Sequence, residues 1–314
     1  MENSKSVYPG LIALFIGAAL LGSSAIFVRF SETSPSLTAF YRAFLALPFL
    51  YIWVLNSKTK YPLRHYLTKE NLLTLGLAGI FFGTDMAVWN WAISFTSVAH
   101  ATLMANTAPI FVTLISFFFL REKIQSAFFG ALALSFMGVS LVILSGSGSD
   151  SFKLLGDGLG LVAAIFYAAY ILVIKKLTDF LPPAHALFFA TLSTSIFLFP
   201  VGLIESESLF PSSYKGWLVL LAYAFVSQSL AQGLITLGIS RLSAHLSSLT
   251  LLIQPVAAAI YGWLLLSETL NSFTRYLLSY QGTKLVPLRF SFFQKGINSF
   301  FRVITLYACC YLLL

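Results

Sequence analysis

Two ionisable side chains stand inside apolar stretches: Arg42 in "AFYRAFLALPFL" (39–50) and Asp85 in "GTDMAVWNW" (83–91). A charge at the centre of a bilayer-spanning helix costs at least about 2.5 kcal/mol, so an ion kept there pairs with another or serves a site. At 1.5 Å per residue both fall roughly 10 to 15 Å from the same end of their segments, at similar depth. A structural Arg42–Asp85 ion pair is one expectation; a cavity in which Asp85 attracts an amino group or takes a proton is the other. Trp89 follows Asp85 by four residues and projects from the same helical face, and Asn106 stands three residues before Pro109. Carboxylate, indole and amide together suit a small zwitterionic or cationic solute, with the indole adding a cation–π contact. Tyr167 and Tyr170 share a face at i, i+3, Gln228 and Gln232 share one at i, i+4, and Gln254 immediately precedes Pro255. These five are candidate solute contacts whose competing role is interhelical hydrogen bonding.

The segments that carry these residues are long and apolar. Of 314 residues 58% are hydrophobic and 10% charged, against about 25% charged in a soluble domain; mean hydropathy is +0.86. About 20 apolar residues cover a hydrocarbon core near 30 Å thick, so runs of roughly 18 or more are membrane spans. Nine such runs occupy residues 9–28, 36–55, 72–95, 98–120, 125–145, 155–174, 183–204, 214–238 and 243–266, numbered here as spans 1 to 9, with an interrupted tenth beyond 272. The connections are short and leave no room for a soluble domain. Lipid offers the backbone no partners, and the alternation of a β-barrel is missing, so the expected fold is an all-α polytopic membrane protein. The first run lacks a strongly basic leader and has a counterpart later in the chain, which reads as an uncleaved span.

Basic residues set the expected orientation. With the N-terminus inside, Lys5, Lys58, Lys60, Arg64, Lys69, Arg121, Lys123, Lys175, Lys176 and Arg241 are cytoplasmic and Arg29, Lys153 and Lys215 lie opposite. Ten against three places the N-terminus in the cytoplasm of a multi-pass protein of the cell (inner) membrane. That asymmetry accounts for the net charge of +8, so the basic pI calls for no nucleic acid. Cys309 and Cys310, the two cysteines, are adjacent and supply neither a metal cluster nor a disulfide framework. No Walker loop, GxSxG elbow, HExxH pair or CxxC set is present, which points away from an enzyme, an ATP-driven pump, a cofactor or a metal.

A shift of 146 residues lays "SVAHATLMANTAPIFVTLISFFFLREKI" (97–124) on "SAHLSSLTLLIQPVAAAIYGWLLLSETL" (243–270), with Pro109 on Pro255 and Glu122 on Glu268. The same shift lays residues 10–30 on 156–176, with Gly10 on Gly156 and Arg29 on Lys175. Five spans per unit is odd, so the second unit enters the membrane inverted, the arrangement in which a central site alternates between two faces. A mid-helix proline removes one hydrogen bond and kinks the helix. Pro109 and Pro255 are therefore expected as paired hinges lining one cavity. Glu122 and Glu268, at the ends of the hinge helices on opposite faces, read as solvated interfacial carboxylates or as gate contacts with basic residues. His100 and His245, near span ends, read as interfacial, and Trp53, Trp91 and Trp217 as bilayer anchors.

The stretch "WNWAISFTSVAHATLMANTAPIFVTLISFFFLREKI" (89–124) resembles the signature of the EamA-type branch of the drug/metabolite transporter superfamily. The Arg-containing "AFYRAFLALPFL" is similar to that family's second span and "QPVAAAIYGWLLLSETL" (254–270) to its ninth. The resemblance covers residues 9 to about 270. It implies ten helices in two inverted five-helix units, 9–145 and 155–314, with spans 1, 3, 4, 6, 8 and 9 around a central cavity. It also implies a solute carrier, whose relatives are associated with amino acids, other metabolites, nucleotide-type compounds and drugs. The expected partners are a small-molecule solute, membrane lipid, a coupling proton and a second copy in a homodimer. Export of an amino-acid-like metabolite is the first functional expectation; a non-transporting receptor or scaffold, or an inactive remnant of the fold, is the competing one.

Past Glu268 the pattern departs. Span 5 shifted by 146 calls for a Gly-rich helix, yet Gly130 falls on Tyr276 and Gly138 on Lys284, and Arg275, Lys284 and Arg289 interrupt the run. A tail read in a shifted frame, or replaced by recombination, is the expectation there.

Overall fold

The computed structural model describes residues 4–59, 66, 68–96, 98–118, 151–205, 208–251, 253–254, 257–258, 261 and 265. Among them the chain is helical throughout, with no strand. Six stretches are long and apolar enough to cross a membrane: Tyr8–Phe30, Pro35–Leu55, Lys69–Phe95, Leu154–Thr178, Pro183–Glu205 and Tyr214–Ile239. They coincide with spans 1, 2, 3, 6, 7 and 8. Span 4 is present as Val98–Ala105 and Ala108–Phe118, and the start of span 9 as Ala244–Thr250. Span 5, the tenth helix, Pro255, Glu122 and Glu268 lie outside the described residues.

Local sequence explains the helix starts. Ser34 caps span 2 by accepting from the Leu37 amide at 3.4 Å, with Pro35 in the first turn where its missing N–H costs nothing. Thr68 caps span 3 through the Asn71 amide, and Ser213 caps span 8 through the Gly216 amide at 3.1 Å. Large apolar side chains remain exposed along the helices, Ile204 at 89% and Phe118 at 68% among them, as lipid rather than water requires.

Packing runs between the two units. Span 6 lies along span 3, span 8 along span 1, span 7 against spans 2 and 3, and span 4 against span 9. Exchanging each span with the one five places on turns the 1–8 pair into the 6–3 pair and leaves 2–7 and 4–9 unchanged. The contacts thus obey the symmetry of an inverted repeat.

Small residues make the crossings close. A Cβ on Gly79 would meet the Ser193 side chain and the backbone at Ser193 C, 2.7 Å away, and Thr194 N, 2.8 Å away. The Thr194 hydroxyl meanwhile donates to the Gly79 carbonyl at 3.2 Å. Gly76, one turn earlier on the same helix, has nothing within 4 Å. Gly79→Ala is therefore expected to destabilise by about 1–3 kcal/mol, as overpacking does. Gly76→Ala should stabilise by roughly 0.5–1 kcal/mol through helix entropy alone. Opposite shifts of Tm in detergent are the expected result; equal shifts would contradict this crossing.

On the face holding the span 1–2 turn, two carboxylates fasten one unit to the other. Glu32 accepts from the Ser213 amide at 2.9 Å and its hydroxyl at 2.6 Å, Glu205 accepts from the Ser36 amide at 3.0 Å, and Tyr41 donates to the Leu209 carbonyl at 2.8 Å. The Ser213 hydroxyl, then its backbone amide, hold the Glu32 carboxyl below its usual range. A depressed folded-state pKa adds stability that is complete above the unperturbed value, about 4.3, and is lost as pH falls through the depressed one. Glu32→Gln should therefore lower Tm at neutral pH, and the difference from wild type should shrink in the acid range. A constant difference would mean the carboxylate charge contributes nothing.

Candidate functional site

A cavity lies where spans 1, 2, 3, 4, 6 and 9 meet. Four lining residues, Phe82, Asp85, Met86 and Trp89, form one stripe of span 3 at helical spacing. Leu21, Gly22 and Ser24 come from a break in span 1, between Ser4–Leu21 and Ser24–Phe30, and Arg42 from span 2. Thr102, Ala105 and Asn106 come from span 4, Tyr167 from span 6 and Gln254 from span 9. The break in span 1 is a crossing: a Cβ on Gly22 would lie 2.7 Å from the Ala257 side chain and 2.8 Å from the Gln254 carbonyl.

Span 4 is interrupted rather than bent. Helix stops at Ala105 and resumes at Ala108, which puts Pro109 in the first turn of the second piece. Position 109 has no N–H to offer the Ala105 carbonyl. Side chains add second bonds to the carbonyls beside the break, which also accept the Asn106 and Thr107 amides: Asn106 Nδ2 donates to Thr102 O at 2.7 Å and Thr107 Oγ1 to Met104 O at 2.7 Å, while Thr113 Oγ1 donates to Pro109 O at 2.6 Å.

The two intramembrane ions share the cavity without touching. Arg42 Nε donates to Gln228 Oε1 at 3.0 Å and Nη1 to the Tyr223 hydroxyl at 3.2 Å, while the guanidinium carbon stands over the Phe82 ring at 5.7 Å and the Tyr223 ring at 5.1 Å. The ion pair present among the described residues joins Lys175 to Asp179 at 3.4 Å, and none joins Arg42 to Asp85. The pairing that their depth suggested is thus replaced by neutral acceptors from span 8. Asp85 accepts no hydrogen bond from any described residue. Around the same cavity Ser24 Oγ, Thr102 Oγ1, the Tyr167 hydroxyl and Gln254 Nε2 are buried without a hydrogen-bond partner. Ser24 approaches the Tyr223 hydroxyl, and Gln254 that of Tyr167, short of hydrogen-bonding geometry.

Of the residues singled out in the sequence, Asp85, Trp89, Asn106, Tyr167, Gln254 and Arg42 line the cavity. Tyr170, Gln228 and Gln232 stand behind its lining. Gln232 donates to the Tyr170 hydroxyl at 3.1 Å, Gln228 donates to Thr191 at 3.0 Å, and Tyr170 stacks on Phe82 with centroids 4.3 Å apart. Gln228 is carried by a π-helical stretch, Ala224–Ala231, that interrupts span 8. Phe82, Met86, Ser24 and Thr102 were not singled out. The first two were legible, since Phe82 stands three residues before Asp85 and Met86 three before Trp89, on the same stripe of span 3.

The sequence profile of the EamA-like transporter family matches residues 8–144 and again 154–278. The chain belongs to the EamA-like transporter family. It is therefore a multi-pass membrane protein whose relatives are carriers of small solutes. The uncharacterized transporter YetK of Bacillus subtilis is 28% identical over 210 residues, 64% of this chain and 63% of its own. The chain thus spans just under two thirds of that relative's length. The pseudopaline exporter CntI of Pseudomonas aeruginosa is 27% identical over 208 residues, 66% of this chain and 72% of its own. A crystal structure of a protein superposes with TM-score 0.62 over 86% of this chain and 91% of that one, at 16% identity, which shows a shared fold.

Proposed function

We propose that this protein is a secondary transporter of the cell (inner) membrane, N-terminus in the cytoplasm, that exports a small amino-acid-like metabolite by alternating access. Two inverted units, 9–145 and 155–314, rock about the cavity between them. The driving force is the solute's own gradient or a proton gradient, with Asp85 as the proton's place.

One observation supports this reading most. A carboxylate without a hydrogen-bond donor lies in a mid-membrane cavity beside four unpartnered neutral polar groups. Such groups cost free energy wherever nothing polar meets them, and a small polar solute entering the cavity brings polar partners to their side of it. Trp89, Phe82 and Met86 supply an apolar wall alongside, the usual composition of a small-molecule pocket.

The test is solute flux in proteoliposomes, with and without an imposed pH gradient, preceded by a thermal-shift screen, since a ligand of the folded state raises Tm by mass action. Amino-acid efflux above protein-free vesicles is the expected result. A folded preparation that neither shifts nor transports any amino acid or related metabolite would favour a receptor, a scaffold or an inactive remnant.

A further inference from the structure

We propose that Arg42 is the solute's carboxylate ligand, so that the cavity reads an amino acid at both ends, carboxylate on Arg42 and ammonium on Asp85. This rests on the transporter reading above and narrows it to solutes carrying both groups.

Arg42 is 4% exposed, and that small remainder faces the cavity. Its Nε and Nη1 are held from behind by Gln228 and Tyr223, and Gln228 is itself held by its bond to Thr191. The Phe82 and Tyr223 rings flank the guanidinium carbon. Nη2 has no hydrogen-bond partner among the described residues. An arginine serving only to join spans 2 and 8 would use its whole fork on protein acceptors or on the one carboxylate in the cavity. This one meets neutral acceptors alone among the described residues, and it lines the same cavity as Asp85. A planar fork with a free N–H edge suits a carboxylate. Asp85, with no donor among the described residues, suits an ammonium group. Were the two in contact, each would satisfy the other and a solute would have to break the pair. With no ion pair between them, a zwitterion has no pair to break; it neutralises both poles and leaves the loaded cavity with the same net charge as the empty one.

The test compares each L-amino acid with its own α-amide, which keeps ammonium and side chain and removes the carboxylate, by thermal shift of the purified full chain. Wild type should bind the best amino acid about 10- to 100-fold more tightly than its amide, the range expected of a charge-assisted hydrogen bond. Arg42→Gln should bind acid and amide alike, whereas Arg42→Lys, which keeps the charge and loses the fork, should keep a reduced preference. Equal binding of acid and amide by wild type overturns this proposal and leaves the transporter reading standing. So does an undiminished preference in Arg42→Gln. Binding of neither probe by folded wild type overturns both. The wild-type comparison decides even if Arg42→Gln fails to fold.

Discussion

Asp85→Asn is expected to raise the melting temperature of the protein while weakening its amino-acid ligand by about 10- to 100-fold, the worth of one charge-assisted hydrogen bond. The two effects have opposite signs because Asp85 makes no hydrogen bond and no ion pair with a described residue. Its carboxylate accepts no hydrogen bond within the described structure, and the guanidinium sharing its cavity is bound elsewhere. An aspartate at helix centre costs about 2.5–3.5 kcal/mol on insertion scales, and asparagine removes the charge at nearly equal volume. A residue that held the bundle together would behave otherwise: its loss would lower Tm, since breaking a buried pair strands the remaining charge. Thermal denaturation of both proteins, with and without the best amino-acid ligand, reads the two effects in one experiment. A lower Tm without ligand would make Asp85 structural; an unchanged ligand shift would remove it from the site.

The fold was legible to the extent that lipid dictates composition. Apolar runs give span limits close to the helix limits: 183–204 against Pro183–Glu205, and 214–238 against Tyr214–Ile239. Interruptions inside the runs were legible only where a proline marks them. Pro109 announces the break in span 4 and Pro48, in the first turn of Leu47–Leu55, the one at Leu45–Ala46, but the break at Gly22–Ser23 and the π-helical stretch at Ala224–Ala231 leave the apolar run intact. Their causes are tertiary. Gly22 parts the helix where span 9 backbone comes within 2.8 Å of its would-be Cβ, and no local propensity records that neighbour.

The site divides along the same line. Asp85, Trp89, Asn106, Tyr167 and Gln254 line the cavity, whereas Gln228 and Gln232, alike in type and spacing, turn their amides to Arg42, Thr191 and Tyr170. An i, i+4 pair says that two residues share a face, not which neighbour the face meets. In span 8 the π-helical turn also shifts the register by the room of an extra residue, so extrapolating 3.6 residues per turn along the whole span misassigns its faces.

Pro109→Ala is expected to keep the ligand-induced thermal shift and to slow flux by about 10- to 100-fold. The pieces Val98–Ala105 and Ala108–Phe118 are joined by Asn106 and Thr107, whose side chains cap carbonyls at Thr102 and Met104. Those caps make the broken form comfortable; the proline makes the continuous form expensive. An interior proline disfavours unbroken helix by roughly 3 kcal/mol relative to alanine. Restoring the N–H at position 109 therefore shifts the balance toward a welded helix by up to about 100-fold in population. Binding depends chiefly on Asp85 and Trp89, which stay on span 3 in either form, so affinity should change far less than flux. Under the alternating access proposed above, the two pieces of span 4 turn separately about the cavity, a motion that a continuous helix would prevent. Locking span 4 would then cost rate without costing binding. Parallel thermal-shift and proteoliposome measurements on Pro109→Ala separate the two, and flux equal to wild type would show that span 4 moves as a rigid piece and the hinge lies elsewhere.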